Sequence, residues 1–189
     1  GLVALILAFG SVSGAHFNPV VTLADRLLGG LSTREAAGYV AAQVAGGLVG
    51  TVVANLMFDL DAIDWSTRQR TGGDLWLGEV VATFGLLIVI LGVVRAKRTD
   101  VVAFAVGGYI AAAYWFTSST SFANPAVTIA RTATDTFTGI APADAPAFIV
   151  AQVIGALGAA ALAAYLFTDL DPTDVVVPHP TDHQEHPTP

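Results

Sequence analysis

Two Asn-Pro pairs, Asn18-Pro19 and Asn124-Pro125, are the residues whose types and placement are suited to chemistry. Asparagine is a preferred helix N-cap and proline is preferred as the first helical residue, so each pair predicts a helix start. The capping amide can accept from its own helix through its oxygen and still donate N–H bonds elsewhere. Each pair therefore predicts amide donors at the positive end of a helix dipole, where a neutral hydrogen-bonding solute is favoured over a cation.

The two predicted helices are too short to cross a membrane. A charged residue follows each asparagine after two turns, at Asp25 and Arg131, and irregular sequence precedes each pair, at 11–16 and 117–123. Irregular backbone at bilayer depth is tolerated only inside protein or beside a watery cavity, so this arrangement predicts a pore. The expected half-helices lie at 18–28 and 124–134.

The composition predicts that lipid surrounds the chain. Of the 189 residues, 54% are hydrophobic and 12% are charged, whereas soluble domains carry about 25% charged residues. Several uncharged runs reach the roughly 20 residues that span a bilayer. We expect an all-α membrane protein whose partner is the lipid bilayer, with apolar segments at about 1–12, 34–58, 75–95, 101–118 and 145–168.

The chain contains an internal repeat. NPVVTLA at 18–24 recurs as NPAVTIA at 124–130, and YVAAQVAG at 39–46 recurs as FIVAQVIG at 148–155. Three predicted crossings separate the two Asn-Pro elements, so the elements enter from opposite faces, as in inverted-repeat transport proteins. A parallel duplication is the alternative, and it conflicts with the odd number of crossings. Small residues at four-residue spacing predict close helix packing; they are Ala42, Gly46 and Gly50 in one copy and Ala151, Gly155 and Ala159 in the other.

Charged residues are concentrated outside the predicted spans. The formal net charge is -7, and this acidic balance gives no reason to expect a nucleic-acid partner. The basic connector Arg95, Lys97 and Arg98 predicts a cytoplasmic location for that loop. The C-terminus then lies on the same side, two crossings later. We expect the acidic, histidine-containing tail at 169–189 to be disordered and cytoplasmic.

We expect no metal, cofactor or enzymatic activity. The chain has no cysteine, which excludes thiolate metal sites. The tail histidines His179, His183 and His186 have no carboxylate and histidine spacing that fixes a metal geometry. The apolar spans contain no set of nucleophile, base and metal ligands.

The sequence Ser13-Gly14-Ala15-His16-Phe17-Asn18-Pro19-Val20 resembles the first pore loop of the major intrinsic protein family, the aquaporins and aquaglyceroporins, and Asn124-Pro125-Ala126 resembles the second. The resemblance extends from residue 1 to about 168. It implies six helices plus two half-helices, a homotetramer with one pore per subunit, and a multi-pass protein of the plasma membrane. Because the chain starts with Gly1 inside an apolar run, we expect an N-terminal truncation without the first helix and part of the second. On that expectation the fragment alone does not conduct normally.

The resemblance also assigns pore residues. The motif residues are Asn18, Pro19, Val20, Asn124, Pro125 and Ala126, and the readable filter residues are Ala112, Ser121 and Val127. Most family members have an arginine where this chain has Val127. Three small, uncharged filter residues imply a wide filter for water and polyol-sized neutral solutes. A valine at this place resembles the arsenic-resistance-associated subgroup, which implies undissociated arsenous acid or methylated arsenicals. Arg131 is expected to pack near the end of its half-helix.

Glu79 and His16 are two further candidates. Glu79 is an acid inside an apolar span, and such residues are functional candidates. The resemblance implies that Glu79 accepts hydrogen bonds from the pore-loop backbone, and a proton relay is the alternative. By the same resemblance His16 lines the cytoplasmic mouth of the pore. A histidine whose hydrogen bonds are satisfied within its own loop is the alternative.

Three kinds of membrane protein fit the inverted repeat. A passive channel for small neutral solutes requires a continuous lumen faced by both asparagines. A secondary transporter requires ion-coupling groups at the centre of the membrane, and Glu79 is the only acid that lies away from the ends of the predicted spans. A non-conducting structural or adhesion protein requires large side chains that block the lumen. The small filter residues favour the passive channel.

Overall fold

The computed structural model describes residues 1–167, and the predicted tail at 169–189 lies outside the described residues. Within 1–167 the regular structure is helical, without a β-strand. The helices are α1 (Leu2–Ser13), α2 (Pro19–Leu28), α3 (Thr33–Met57), α4 (Gly73–Arg95), α5 (Val102–Phe116), α6 (Pro125–Ala130) and α7 (Ala145–Leu166), with 3-10 turns at Thr99–Val101 and Arg131–Ala133.

Four of the described helical segments are long and apolar enough to cross a membrane: Thr33–Met57, Gly73–Arg95, Thr99–Phe116 and Ala145–Leu166. The second half-helix is α-helical over Pro125–Ala130 and then tightens into the 3-10 turn. Helix α5 ends two residues before the predicted 118 because Thr117 adopts an extended conformation and starts the second pore loop.

Helices α2 and α6 lie at opposite ends of α3. Near the start of α3, Arg26 donates from Nε to the Thr33 hydroxyl at 3.0 Å. Near its other end, Asn55 donates to the carbonyl of Ala133 at 3.0 Å. Helix α3 has 25 residues, which is about 37 Å at 1.5 Å per residue. The half-helices therefore enter from opposite faces, and the prediction of an inverted repeat is confirmed.

The core lies between α4 and α7. Leu87 and Leu91 of α4 and Ala156 and Ala159 of α7 are fully buried. By contrast, α1 has no fully buried residue, and α3 buries only Asn55 within the described structure. The outward faces of α1 and α3 are therefore apolar and exposed.

The small-residue stripes pack differently in the two copies. A Cβ atom on Gly155 would lie 2.5 Å from the carbonyl oxygen of Val80, so α7 and α4 touch backbone to backbone there. A Cβ atom on Gly46 or Gly50 would meet no described atom within 4 Å. In α3 the close contact is made by Gly47, whose Cβ would lie 3.2 Å from that of Ala130. The predicted stripe is therefore wrong by one position in α3.

We predict that Gly155→Ala destabilises the protein and that Gly46→Ala does not. The added methyl group collides with the backbone of α4, and overpacking of this kind costs about 1 to 3 kcal/mol. Thermal unfolding of the two variants in the same detergent measures the difference. Equal unfolding temperatures would contradict the close contact of α4 and α7.

Candidate functional site

The two loops before the asparagines share an unusual backbone conformation. Positive φ angles occur four, three and one residues before each asparagine, at Gly14, Ala15 and Phe17 and at Thr120, Ser121 and Ala123. Five of these six residues are not glycine, and the left-handed region is uncommon for such residues. The repeated pattern indicates that the two loops have the same backbone conformation and orient their carbonyl and N–H groups in the same way.

Asn18 and Asn124 cap their own helices and also hold each other's loops. The Asn18 side-chain oxygen accepts from the N–H of Val20 at 3.1 Å, and the Asn124 oxygen accepts from Ala126 at 3.0 Å. The Asn18 amide donates to the carbonyl of Ala123 at 2.7 Å, and the Asn124 amide donates to the carbonyl of Phe17 at 2.9 Å. The two half-helices therefore meet tip to tip, and each amide has a second N–H for another acceptor.

A cavity of about 940 Å³ runs beside the two asparagines. Asn18, Asn124, Ser121 and Val127 all line it. The Ser121 side chain is buried, and its hydroxyl has no hydrogen-bond partner among residues 1–167. The structure therefore brings both asparagines and two of the three predicted filter residues to one cavity.

The prediction for the third filter residue, Ala112, is wrong. It lies on an exposed face of α5 and does not line the cavity. The cavity side of α5 consists of Val102, Val106, Ile110 and Tyr114. These residues follow a four-residue spacing, and position 112 lies on the opposite side of the same helix. Tyr114, rather than a small residue, is the last α5 side chain on the cavity wall.

The residues that follow the asparagines are mostly buried against protein. Pro19, Val20 and Pro125 are buried and do not line the cavity, while Ala126 does line it. Val20 belongs to the hydrophobic core, and its neighbour Val21 faces the cavity. Val20, which stands where the second motif has Ala126, therefore contributes to core packing rather than to the cavity wall.

Glu79 lies fully buried beside the second loop. One carboxylate oxygen accepts from the Ser119 hydroxyl at 2.6 Å and from the N–H of Phe122 at 2.8 Å. The other accepts from the N–H of Ala123 at 2.8 Å and from Gln152 at 2.6 Å. All four bonds bring donors to a carboxylate, and such charge-assisted bonds are the strong ones.

His16 lies at the end of the cavity beside α2, which we call the His16 mouth. Its ring is buried, with Nδ1 3.0 Å from the Thr22 hydroxyl and Nε2 3.2 Å from a carboxylate oxygen of Asp25. The ring also lies 5.0 Å from that of Tyr39. His16 thus both lines the cavity and contacts the half-helix that its own loop precedes.

Two glutamines were missed by the sequence reasoning. Gln43 donates to the Thr22 hydroxyl at 3.0 Å, and Gln152 donates to the Thr128 hydroxyl at 2.9 Å. The signal was present, because each glutamine is the one amide side chain in its copy of the matched segment. The glutamines tie each half-helix to the spanning helix of its own repeat.

Three residues at the opposite end of the cavity were also missed as a group. Arg131, Tyr114 and Phe122 line this end, which we call the Arg131 mouth. The Arg131 guanidinium lies 4.2 Å from the centre of the Phe122 ring and donates to the Tyr114 hydroxyl at 3.1 Å. No sequence signal identified this group, because its members come from three separate segments.

Arg70, from the connection between α3 and α4, lies behind the Arg131 mouth. Its guanidinium is 4.8 Å from the centre of the Phe122 ring and donates to the carbonyls of Gly139 and Phe137. Burial lowers the pKa of Arg70 from its ordinary value, the charges of Arg68 and Arg131 lower it further, and the carboxylate of Glu79 partly opposes these effects. Arginine nonetheless stays charged in proteins, so two cations flank one phenyl ring.

Known proteins resemble this chain over most of its length. The model of the family described as Major intrinsic protein matches residues 1–102 and again residues 77–186. The aquaglyceroporin AqpS of Rhizobium meliloti (strain 1021) is 52% identical over 171 residues, which are 90% of this chain and 73% of that protein.

Two more distant relatives match over shorter segments. Aquaporin NIP3-1 of Arabidopsis thaliana is 35% identical over 107 residues, covering 50% of this chain and 32% of the relative. Human aquaporin-4 is 30% identical over 120 residues, which are 59% of this chain and 37% of the relative. The crossed half-helices and the family match agree: the chain belongs to the Major intrinsic protein family, whose members are membrane channels for water and small solutes rather than enzymes.

Proposed function

We propose that this protein conducts water and small uncharged solutes of polyol size, passively, along the cavity beside Asn18 and Asn124. The observation that favours this function is the pair of hydrogen bonds that the Asn18 and Asn124 amides donate to each other's loops. These bonds place two half-helix N-termini at the cavity wall. The resemblance to a protein named an aquaglyceroporin agrees with a solute larger than water.

The solute class follows from the side chains that line the cavity. At Val127 an isopropyl group leaves space that a guanidinium would fill, and Ser121 contributes a buried hydroxyl without a partner among residues 1–167. Glycerol-like polyols have the size and the hydroxyl groups to use this space. Undissociated arsenous acid and methylated arsenicals are small, neutral and rich in hydroxyl groups, so they belong to the same class.

Cation and proton exclusion is the second part of the proposal. Each half-helix N-terminus contributes about half a positive charge, and both are directed at the middle of the cavity. The capping amides donate rather than accept, so a passing water molecule turns its oxygen toward them. Water held in this orientation does not relay a proton along a continuous chain.

Glu79 and His16 have supporting roles in this proposal. Glu79 holds the second loop in its strained conformation, because its four donors include two backbone N–H groups of that loop. No described basic side chain bonds to it, and a relay would need a proton acceptor in reach. His16 fixes the first loop through the contacts of its buried ring with Thr22 and Asp25, and the residue is part of the cavity lining.

We further propose a plasma-membrane homotetramer with its C-terminus in the cytoplasm. The exposed apolar residues of α1 and α3, such as Leu7, Val12, Val49 and Val53, provide a surface for lipid or for neighbouring subunits. The basic connector at 95–98 favours the cytoplasmic side for that loop.

We predict that Val127→Arg lowers glycerol permeability by about tenfold or more and lowers water permeability much less. The guanidinium narrows the passage to a size that water still fits. Stopped-flow swelling of vesicles containing the protein measures both rates, and Val127→Thr, which adds no charge and little volume, is the matched control. Water permeation without glycerol permeation in the parent protein would overturn the wide-filter argument.

We predict that Asn124→Asp raises proton or cation conductance by about tenfold. A carboxylate at this position adds negative charge and removes the donor to the Phe17 carbonyl. Conductance is measured in vesicles with a pH-sensitive dye inside, under an imposed voltage. Gln69→Glu adds the same charge in an exposed loop and serves as the control. Equal leaks in the Asn124 variant and the parent would contradict exclusion at the half-helix tips.

We predict that Glu79→Gln destabilises the protein by several kcal/mol, since each lost bond to a buried charge is worth about 1.5 to 3 kcal/mol. The glutamine side chain has an NH2 group in place of one carboxylate oxygen. Two of the four donors to Glu79 would then face a donor instead of an acceptor. Thermal unfolding in detergent measures the loss, and the exposed Asp61→Asn removes the same charge as a control. An unfolding temperature equal to that of the parent would contradict the proposal that Glu79 stabilises the second loop.

A further inference from the structure

We propose that Arg131, with Arg70 behind it, is the cation barrier and the solute-docking group of the Arg131 mouth. This inference rests on the proposed function and identifies the side chain that selects solutes at one end of the cavity. The guanidinium stands one helical turn beyond Val127, and it restores a positive charge that position 127 lacks.

The placement of Arg131 makes it part of the cavity wall. Its guanidinium lies against the face of Phe122 and donates from one nitrogen to the Tyr114 hydroxyl. All three residues line the cavity. A guanidinium has five N–H donors in a plane, so stacking on the ring and one bond to tyrosine leave several donors for a solute.

Neither guanidinium of this mouth forms an ion pair with a described carboxylate, although the buried carboxylate of Glu79 raises the pKa of Arg70 and Asp144 accepts from the Arg70 main-chain N–H at 2.7 Å. Arg70 bonds to main-chain carbonyls of Gly139, Phe137 and Ser119 and to the Thr120 hydroxyl, and Arg131 bonds to the Tyr114 hydroxyl. Two positive charges therefore stand on one phenyl ring beside a cavity with apolar walls. A charged, low-dielectric cleft of this kind changes the local concentration of ions by about tenfold or more.

The internal repeat relates Arg131 and Phe122 to Asp25 and His16, and the two copies differ in what they expose to the cavity. Asp25 and Arg131 both stand seven residues after their asparagine, and His16 and Phe122 both stand two residues before it. The same two positions are in contact in both copies, as His16 with Asp25 and as Phe122 with Arg131. Asp25 is fully buried and does not line the cavity, whereas Arg131 does.

The chemistry selects neutral solutes with acceptor oxygens. Hydroxyl oxygens of a polyol or of an undissociated oxyacid accept from the free N–H groups of Arg131. Ser121, next in the chain to Phe122, also lines the cavity, and its small side chain leaves space beside Arg131. A sodium, potassium or hydronium ion meets repulsion from both guanidinium groups.

The test compares Arg131→Gln, which keeps amide donors and removes the charge, with the parent protein in reconstituted vesicles. We expect a rise of about tenfold in potassium and proton leak, with water permeability within a factor of about two of the parent, since the lumen stays open. Arg68→Gln is the matched control, because Arg68 is exposed on the connection between α3 and α4 that also carries Arg70, and it does not line the cavity.

Arg131→Lys separates the charge from the planar donors. We expect cation leak equal to that of the parent and a several-fold fall in glycerol permeability, because a lysine does not stack and donate in one plane. If the glutamine variant does not fold, Arg131→Met, which also removes the charge, tests the barrier in its place, with the same expected rise in cation leak. Glycerol permeability equal to that of the parent would overturn the docking role.

The outcomes separate this proposal from the function on which it rests. A parent that conducts water and glycerol, with an Arg131→Gln variant that leaks no more cations than the parent, overturns the barrier and leaves the channel intact. A parent channel produced from its whole coding sequence that conducts neither solute overturns the channel and the barrier together. An equal leak in Arg131→Gln and Arg68→Gln, both above the parent, assigns the barrier to general surface charge and overturns the role of Arg131.

Discussion

The crossed bonds of Asn18 and Asn124 are the interaction on which the rest of this structure depends. Helix α6 has six α-helical residues, and a helix that short is not stable by itself. Each half-helix is held because the side chain at its start donates to the loop of the other half. Neither loop nor helix keeps its place alone, so the pore backbone is stabilised by mutual contact at the centre of the membrane.

That contact requires a strained backbone, and buried polar groups maintain it. Left-handed conformations of residues other than glycine cost about 1 to 3 kcal/mol each, and both loops contain them at matching positions. In the second loop the carboxylate of Glu79 accepts from two consecutive N–H groups, which fixes the direction of the chain where it approaches Asn124. The strain is located where the backbone itself must face the cavity.

The two repeats share their supporting contacts and differ at their mouths. Thr22 and Thr128 each accept from a glutamine of the following long helix of the same repeat, so the framework is nearly symmetric. Nearer the ends of the cavity the two copies differ. In the first copy His16 contacts Asp25, and in the second copy Arg131 lies against the ring of Phe122. Duplication thus supplied two equal helix ends, and substitution at two equivalent positions made their electrostatics different.

The sequence by itself determined the parts of this protein that follow from local chemistry and from counting. Asn-Pro fixes a capped helix start, the charged residues that follow exclude a full membrane span, and an odd number of crossings between the two copies sets their opposite entry. Family membership followed from the same motifs. These conclusions need no knowledge of how one helix is rotated against another.

Rotation and long-range contact were decided only by the tertiary structure. Helix α5 is apolar on all sides, so its sequence does not indicate which side faces the cavity, and Tyr114 lines it where spacing had selected Ala112. The four donors to Glu79 lie 40 to 73 residues further along the chain, and Arg70 lies 61 residues before Arg131. These contacts depend on how side chains pack between helices, and the pattern of residues along the sequence does not contain that information.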